Sequence, residues 1–250
     1  MVERVRDCVV HGRQAEEVVI PVTALSLGVS MVGGLASSHS PYALVLGCSD
    51  ARAPLESVLD CAANEVFVVR VAGNVLGLEC LGSIQYAVSQ LRQSLRTVVV
   101  MGHTGCGAVS AAVDVYLTPS DFPGIAFSHA LRSVVDRVLL TVRGSDRAIK
   151  RVLGGEASKS PAYRQLLIDT AVYMNAAMTA HDLQREVSGI AAEMQVVYSV
   201  FDVAHSRLGA LPAGDADAST PPFAAAPVAN QDFEAAANQV VGRLADQAAG

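Results

Sequence analysis

The clearest structural signal in this chain is Tyr42-Ala-Leu-Val-Leu-Gly-Cys-Ser-Asp-Ala-Arg52. Its first part, residues 42–47, is a short continuous apolar run, which is typical of a strand covered on both faces. Its second part places a thiol, a carboxylate and a guanidinium directly after that strand. In an open parallel sheet, ligands bind beyond the carboxyl ends of the strands. This stretch therefore predicts a buried strand that leads straight into a functional site.

Three more runs of the same kind follow along the chain, at residues 66–71, 97–101 and 194–201. Helical spacing of apolar residues lies between or after them, at 78–95, 107–117, 128–142 and 164–186. Strands that alternate with helices favour a mostly parallel sheet with helices on its faces. The predicted fold class is α/β, with a mostly parallel central β-sheet flanked by helices.

Composition divides the chain into three predicted segments. Residues 1–38 form an N-terminal helical or arm segment, and residues 39–208 form the α/β domain that carries the site. Residues 209–250 are rich in Ala and Pro, and predict a linker followed by a C-terminal helix over 233–249. No charged residue occurs from Val18 to Ser49, but Pro, Gly, Ser and Thr interrupt this stretch. We therefore expect neither a membrane span nor a cleaved signal.

Charge and cysteine content exclude several classes of function. The 250 residues include 18 Lys+Arg and 24 Asp+Glu, a formal net charge of -6 without a basic run, so we expect no binding to nucleic acid. Aromatic residues make up 5% of the chain and Trp is absent, which disfavours base-stacking platforms. Five cysteines are an odd number and do not resemble a disulfide framework. The sequence therefore predicts a reducing, cytoplasmic location.

Two of the strand runs lead into residue types that commonly serve as metal ligands. The first ends at Cys48, and the third leads into Gly-His103-Thr-Gly-Cys106-Gly. If the two strands are neighbours, two thiolates and one imidazole converge at one sheet edge, and this is a strong zinc set. Three protein ligands leave the fourth tetrahedral position free, as in catalytic zinc sites. Asp50 can reach the metal or its bound water, and Arg52 can hold that carboxylate with two hydrogen bonds.

The same residues allow other interpretations. The glycine-rich segment around His103 can cradle a phosphate at a helix N-terminus, although it lacks the P-loop signature. Cys106 can act as a nucleophile with His103 as its base, but this leaves Cys48 unexplained. Asp50 and Arg52 can be an ordinary ion pair.

Beyond these local arguments, the chain resembles the β-class carbonic anhydrases. Cys48-Ser-Asp-Ala-Arg52 is similar to that family's first zinc motif, and His103-Thr-Gly-Cys106-Gly is similar to its second. The resemblance is clear over residues 39–117 and weaker near 194–211. It implies one zinc ion per chain, bound by Cys48, His103 and Cys106, in a protein that forms a homodimer or a larger homo-oligomer.

The resemblance also implies a substrate pocket. By position, Phe67, Ala72 and Tyr86 match places that line it. His39 stands where the family often has a glutamine that donates to substrate, so it can donate similarly, shuttle protons or lie in the core. Without Trp, the allosteric bicarbonate site of some bacterial members cannot be present in that form.

The function expected from these observations is the reversible hydration of carbon dioxide to bicarbonate and a proton. Zinc lowers the pKa of its bound water, and the resulting hydroxide attacks the carbon. Asp50, held by Arg52, orients the hydroxide. The resemblance also implies a closed state, in which Asp50 instead ligates the zinc and gates the metal. Two alternatives stay open: hydrolysis of a related heterocumulene (carbonyl sulfide or carbon disulfide), and a non-catalytic module that zinc only braces.

Overall fold

The computed structural model describes residues 38–121, 128–212 and 221–249. The described residues from His39 onward belong to one compact unit. The predicted N-terminal segment lies almost entirely outside the described residues, as does the uncharged stretch up to residue 37. In the described part of the chain, no helix has both the length and the apolar character needed to cross a bilayer.

Six strands of the described residues form one sheet, in the order β2-β1-β3-β4-β5 with β6 also paired to β4. They are β1 (Ala43–Gly47), β2 (Val66–Arg70), β3 (Thr97–His103), β4 (Gln195–Asp202), β5 (Arg207–Gly209) and β6 (Ala224–Ala225). The first four run parallel, and β5 and β6 run antiparallel to β4. The predicted mostly parallel sheet is confirmed.

The α-helices of the described residues fall between the strands and after them. They are α1 (Leu55–Val58), α2 (Leu78–Gln90), α3 (Gly107–Leu117), α4 (His129–Leu153), α5 (Tyr163–Ser188) and α6 (Asn230–Ala249). Short 3-10 turns occupy Ala72–Asn74, Pro119–Asp121 and Gly155–Lys159. The α/β class with flanking helices is confirmed.

Alternate strand residues point into two separate apolar clusters. Leu44 and Leu46 of β1 face the large cluster, to which α2, α3, α4, α5 and α6 all contribute. Val45 of the same strand faces a smaller cluster with Leu55 of α1. Because both faces of β1 are covered, its residues are all buried, which explains the continuous apolar run in the sequence.

Some boundaries differ from the predictions. Helix α2 ends at Gln90 rather than 95, and α4 continues past 142 to Leu153. The C-terminal helix begins at Asn230 rather than 233, because Asp232 accepts hydrogen bonds from the backbone N–H groups of Val228 and Ala229. The predicted linker after Gly209 contains strand β6 at its described end. The three-segment division itself stays a prediction.

Candidate metal centre

The sheet brings the two predicted metal-binding segments together. Strands β1 and β3 are hydrogen-bonded neighbours in parallel register, with Gly47 opposite Met101. Both strands therefore end at the same edge, where Cys48 follows β1 and His103 closes β3. Cys106 follows after a two-residue turn and is the N-cap residue of α3. Gly105 in this turn has φ +68°, a left-handed conformation that glycine adopts without a steric penalty.

The three predicted ligands converge on one point. The sulfur atoms of Cys48 and Cys106 and a ring nitrogen of His103 all lie within 4.8 Å of one another. All three side chains are buried, with exposures of 5%, 2% and 1%. No other group of His, Cys, Asp or Glu in the described residues meets the same criterion.

The imidazole of His103 is oriented for metal binding. Its Nδ1 lies 3.0 Å from the carbonyl oxygen of Thr104, and since a carbonyl can only accept, Nδ1 carries the proton. The Nε2 atom is buried and has no hydrogen-bond partner among the described residues. A buried lone pair without a partner is costly, and a metal ion shared with the two sulfurs would satisfy it. The residues present therefore fit zinc.

The two thiols lie close enough for the protonation of one to affect the other, since their sulfur atoms are within 4.8 Å. A hydrogen bond from Cys106 holds the pKa of Cys48 well below its usual range, against the opposing effect of burial. The backbone N–H of Gly73 also donates to the sulfur of Cys48, at 3.3 Å. The same shared proton, together with burial, raises the pKa of Cys106. A metal ion that displaces this proton would leave both sulfurs as thiolate ligands.

Asp50 and Arg52 form a bidentate pair beside the ligands. The Nε and Nη2 atoms of Arg52 donate to the two carboxylate oxygens of Asp50, at 3.0 and 2.7 Å. This guanidinium holds the pKa of Asp50 well below its usual range. One carboxylate oxygen lies 3.8 Å from Nε2 of His103. Arg52 also donates to the carbonyl of Gly105, at 3.0 Å, which ties the first motif to the second.

Arg70, at the end of β2, is a structural part of the site that the sequence analysis missed. Its Nε donates to the carbonyl of Cys48 at 3.0 Å, and its Nη2 donates to the carbonyls of Asp50 and Ala53 at 2.7 and 2.9 Å. One side chain thereby fixes the whole turn that carries Cys48 and Asp50. The available signal was its position: a charged residue that ends an otherwise apolar strand.

The predicted pocket residues lie in more open surroundings. Phe67 is half-buried on β2, and the exposed ring of His39 stacks on it with centroids 5.8 Å apart. Ala72 is exposed and precedes Gly73, the donor to Cys48. Tyr86 is 56% exposed and makes no hydrogen bond or ring contact with another described residue. Their role in a pocket stays a prediction.

Comparison with known proteins agrees with this architecture. A family model described as Carbonic anhydrase matches residues 43–208. Carbonic anhydrase 2 of Mycobacterium tuberculosis is 40% identical over 117 residues, which cover 47% of this chain and 53% of that protein. Carbonic anhydrase of Mycolicibacterium smegmatis is 40% identical over 116 residues, 45% and 52% of the two chains. The chain thus matches about half the length of these curated relatives.

A solved structure has a similar fold. A tetrameric β-carbonic anhydrase from the ascomycete Sordaria macrospora superposes with a TM-score of 0.52 and 21% identity, covering 71% of this chain and 83% of that one. Fold and donor set together define an α/β protein of the β-carbonic anhydrase type with a two-cysteine, one-histidine centre. Since the family model spans more than half of its residues, including Cys48, His103 and Cys106, the chain belongs to the carbonic anhydrase family.

Proposed function

We propose that this protein is a zinc-dependent carbonic anhydrase, which catalyses the reversible hydration of carbon dioxide to bicarbonate and a proton. One observation carries the proposal: three buried donor atoms lie within 4.8 Å of one another, with the paired carboxylate of Asp50 next to them. Membership of the family supports the same reaction.

The ligand set supplies the electrophilic part of the chemistry. Zinc held by Cys48, His103 and Cys106 would lower the pKa of a water molecule, so that hydroxide is available near neutral pH. The thiolates of Cys48 and Cys106 donate charge and oppose this acidification. The Asp50–Arg52 pair must therefore contribute to orienting the nucleophile.

Asp50 is suited to orient the nucleophile. Because Arg52 keeps its carboxylate ionised, Asp50 accepts a hydrogen bond from the nucleophilic hydroxyl group and directs its lone pair at the substrate carbon. The new carbon–oxygen bond gives bicarbonate, and the released proton passes to buffer. While Asp50 is engaged by Arg52 it is not a metal ligand, and breaking this pair would permit the closed state.

Carbon dioxide is small and apolar, so it needs little specific recognition. Phe67 offers an apolar ring on the edge strand, and the stacked His39 places a donor beside it. We assign Phe67, His39, Ala72 and Tyr86 to the pocket on these positions and on the resemblance to the family.

We further propose that the protein forms a homodimer or a larger homo-oligomer. Strand β2 lies at the edge of the sheet that the described residues form, and its Val66, Phe67 and Val68 are only half-buried. Leu78 and Tyr86 are 79% and 56% exposed. A second copy would cover such apolar side chains. The Sordaria protein of the same fold is tetrameric. Sedimentation of the zinc-loaded protein tests this, and a monomer at micromolar concentration would contradict it.

The decisive experiment is stopped-flow hydration of carbon dioxide as a function of pH, with zinc content measured on the same samples. We expect about one zinc per chain and fast hydration. Cys106→Ser should lose zinc and activity together, whereas Cys80→Ser, a half-buried thiol of α2, should lose neither. Full zinc without turnover would indicate a metal that only braces the fold, and faster turnover of carbonyl sulfide would indicate the heterocumulene reaction.

A further inference from the structure

Thr104 links the metal ligand His103 to the end of strand β4. Its carbonyl oxygen accepts the Nδ1 proton of His103 at 3.0 Å, and its backbone N–H donates to the carbonyl of Phe201 at 2.9 Å. The residue after it, Gly105, accepts a hydrogen bond from Arg52 at 3.0 Å. The orientation of this short segment therefore affects both the imidazole and the partner of Asp50.

The hydroxyl group of Thr104 is also fixed by β4. It accepts a hydrogen bond from the backbone N–H of Val203 at 3.0 Å and donates to a carboxylate oxygen of Asp202 at 3.4 Å. That carboxylate is itself held by the backbone N–H of Ala204 at 3.0 Å and by the ring of His205 at 2.7 Å. The turn that follows β4 thus fixes the Thr104 hydroxyl through two hydrogen bonds.

We propose that Thr104 is a positioning residue for the metal centre: its hydroxyl, locked to Val203 and Asp202, holds the carbonyl that orients His103. This inference rests on the proposed zinc site. It goes beyond that site because it attributes part of the zinc affinity to the end of β4. Groups that fix the outer nitrogen of a metal-binding histidine commonly change metal affinity 10–100-fold when they are removed.

The test compares zinc affinity in three variants of the full chain, measured by competition with a chromophoric chelator. Thr104→Val keeps the shape of the side chain but removes the hydroxyl, and since the carbonyl bonded to His103 stays, we expect zinc binding to weaken roughly 3–10-fold, less than when that group itself is lost. Thr104→Ser keeps the hydroxyl and should bind zinc as the wild type does. Thr97→Val is the matched control, since Thr97 donates to the carbonyl of Gln195 at the opposite end of the same strand pair, at 3.3 Å.

A second readout follows the ligand geometry itself. Cobalt(II) in the site gives visible absorption bands that depend on the arrangement of its ligands, and we expect these bands to change in Thr104→Val but not in Thr97→Val. Thr104→Ala removes the same hydroxyl with less bulk and replaces the valine variant if that variant does not fold.

Wild-type zinc affinity and an unchanged cobalt spectrum in Thr104→Val would overturn the inference. Equal weakening by Thr97→Val would also overturn it, since the loss would then reflect general loosening of the sheet. Both readouts are independent of carbon dioxide. A protein that binds zinc through Thr104-oriented His103 but lacks hydration activity would refute the proposed function and leave this inference standing.

Discussion

Some residues of the candidate metal centre could be predicted from the sequence, and others could not. Cys48, His103 and Cys106 were predicted because each follows an apolar strand and has the chemistry of a zinc ligand. Arg70 and Thr104 were not predicted, because their roles depend on hydrogen bonds to backbone carbonyls and N–H groups, which nearly every residue type has. Such contacts become visible only when the strands are placed side by side.

At this scale, Asp50→Asn tests the orienting carboxylate. The amide keeps the size of the side chain but loses the charge that pairs with Arg52. Because the three ligands are untouched, we expect zinc content to stay at the wild-type level. The hydration rate should fall about 100-fold or more, the usual range for loss of a positioned proton-accepting group. Stopped-flow rates on zinc-analysed samples give both values.

The matched control is Asp114→Asn. Asp114 makes a similar bidentate pair with Arg164, at 2.7 and 2.8 Å, between α3 and α5. Its loss should leave the hydration rate unchanged. If Asp50→Asn turned over as fast as the wild type, Asp50 would have no part in the reaction.

Among the secondary-structure elements, the long helix α4 shows how burial overrides a local stop signal. Apolar spacing predicted a helix only to 142, and Gly144 soon after weakens a helix by itself. The structure nevertheless continues to Leu153, because Ala148 and Ile149 are fully packed in the large cluster. The helix ends at Gly154, whose φ of +84° is outside the helical range.

The junction of α4 and α5 contains a polar cluster around the buried carboxylate of Asp146. The hydroxyl of Tyr163 donates to Asp146, and the ammonium of Lys150 donates to the same carboxylate at 2.9 Å. Burial would raise the pKa of Asp146, but the hydrogen bonds from Tyr163 and Lys150 outweigh it and lower the pKa. The ionised carboxylate of Asp146 therefore links α4 to α5 through its hydrogen bond with Tyr163.

We expect Tyr163→Phe to lower the free energy of unfolding by about 2 kcal/mol at pH 7, as for a buried hydrogen bond to a charged group. Because the pKa of Asp146 is lowered in the folded state, this stabilisation is complete above the ordinary carboxyl pKa of about 3.9 and is lost as the pH falls below it. The difference between variant and wild type should therefore shrink in acid.

Urea unfolding at neutral and acidic pH measures this difference. Lys159→Ala, which removes an ion pair with Glu156 whose side chains are 74% and 85% exposed, should leave the unfolding midpoint nearly unchanged. A constant difference between Tyr163→Phe and wild type down to strong acid would contradict the role assigned to Asp146.

On the scale of the whole molecule, the described C-terminal helix is part of the core. Ala237, Val240 and Val241 of α6 are at most 5% exposed and belong to the same cluster as the inner face of the sheet. On the preceding segment, the N–H of Ala226 donates to the carbonyl of Val196 in β4, at 3.0 Å. The sequence predicted this helix but not what it packs against, because its apolar residues are mostly alanines.

Val241→Ala should therefore destabilise the entire unit. Val241 is fully buried, and removing two methyl groups costs about 2 kcal/mol in lost burial and packing. Val228→Ala makes the same chemical change at a position that is 79% exposed, so we expect little effect there. Chemical unfolding of both variants gives the comparison. Equal stability of the two would place α6 outside the cooperative unit.

The sequence by itself determined the alternation of strands and helices, the mostly parallel sheet and the three residues whose donor atoms converge at its edge. It could do so because fully buried strands are continuously apolar. In addition, Cys and His residues at the ends of neighbouring strands favour metal binding over other roles. Only the tertiary structure decided how the ligands are held. Three contacts join segments that are far apart in the chain: Arg70 bonds the turn after β1, β4 supports Thr104, and α6 packs on the core. The order of the strands in the sheet sets the distances between these segments.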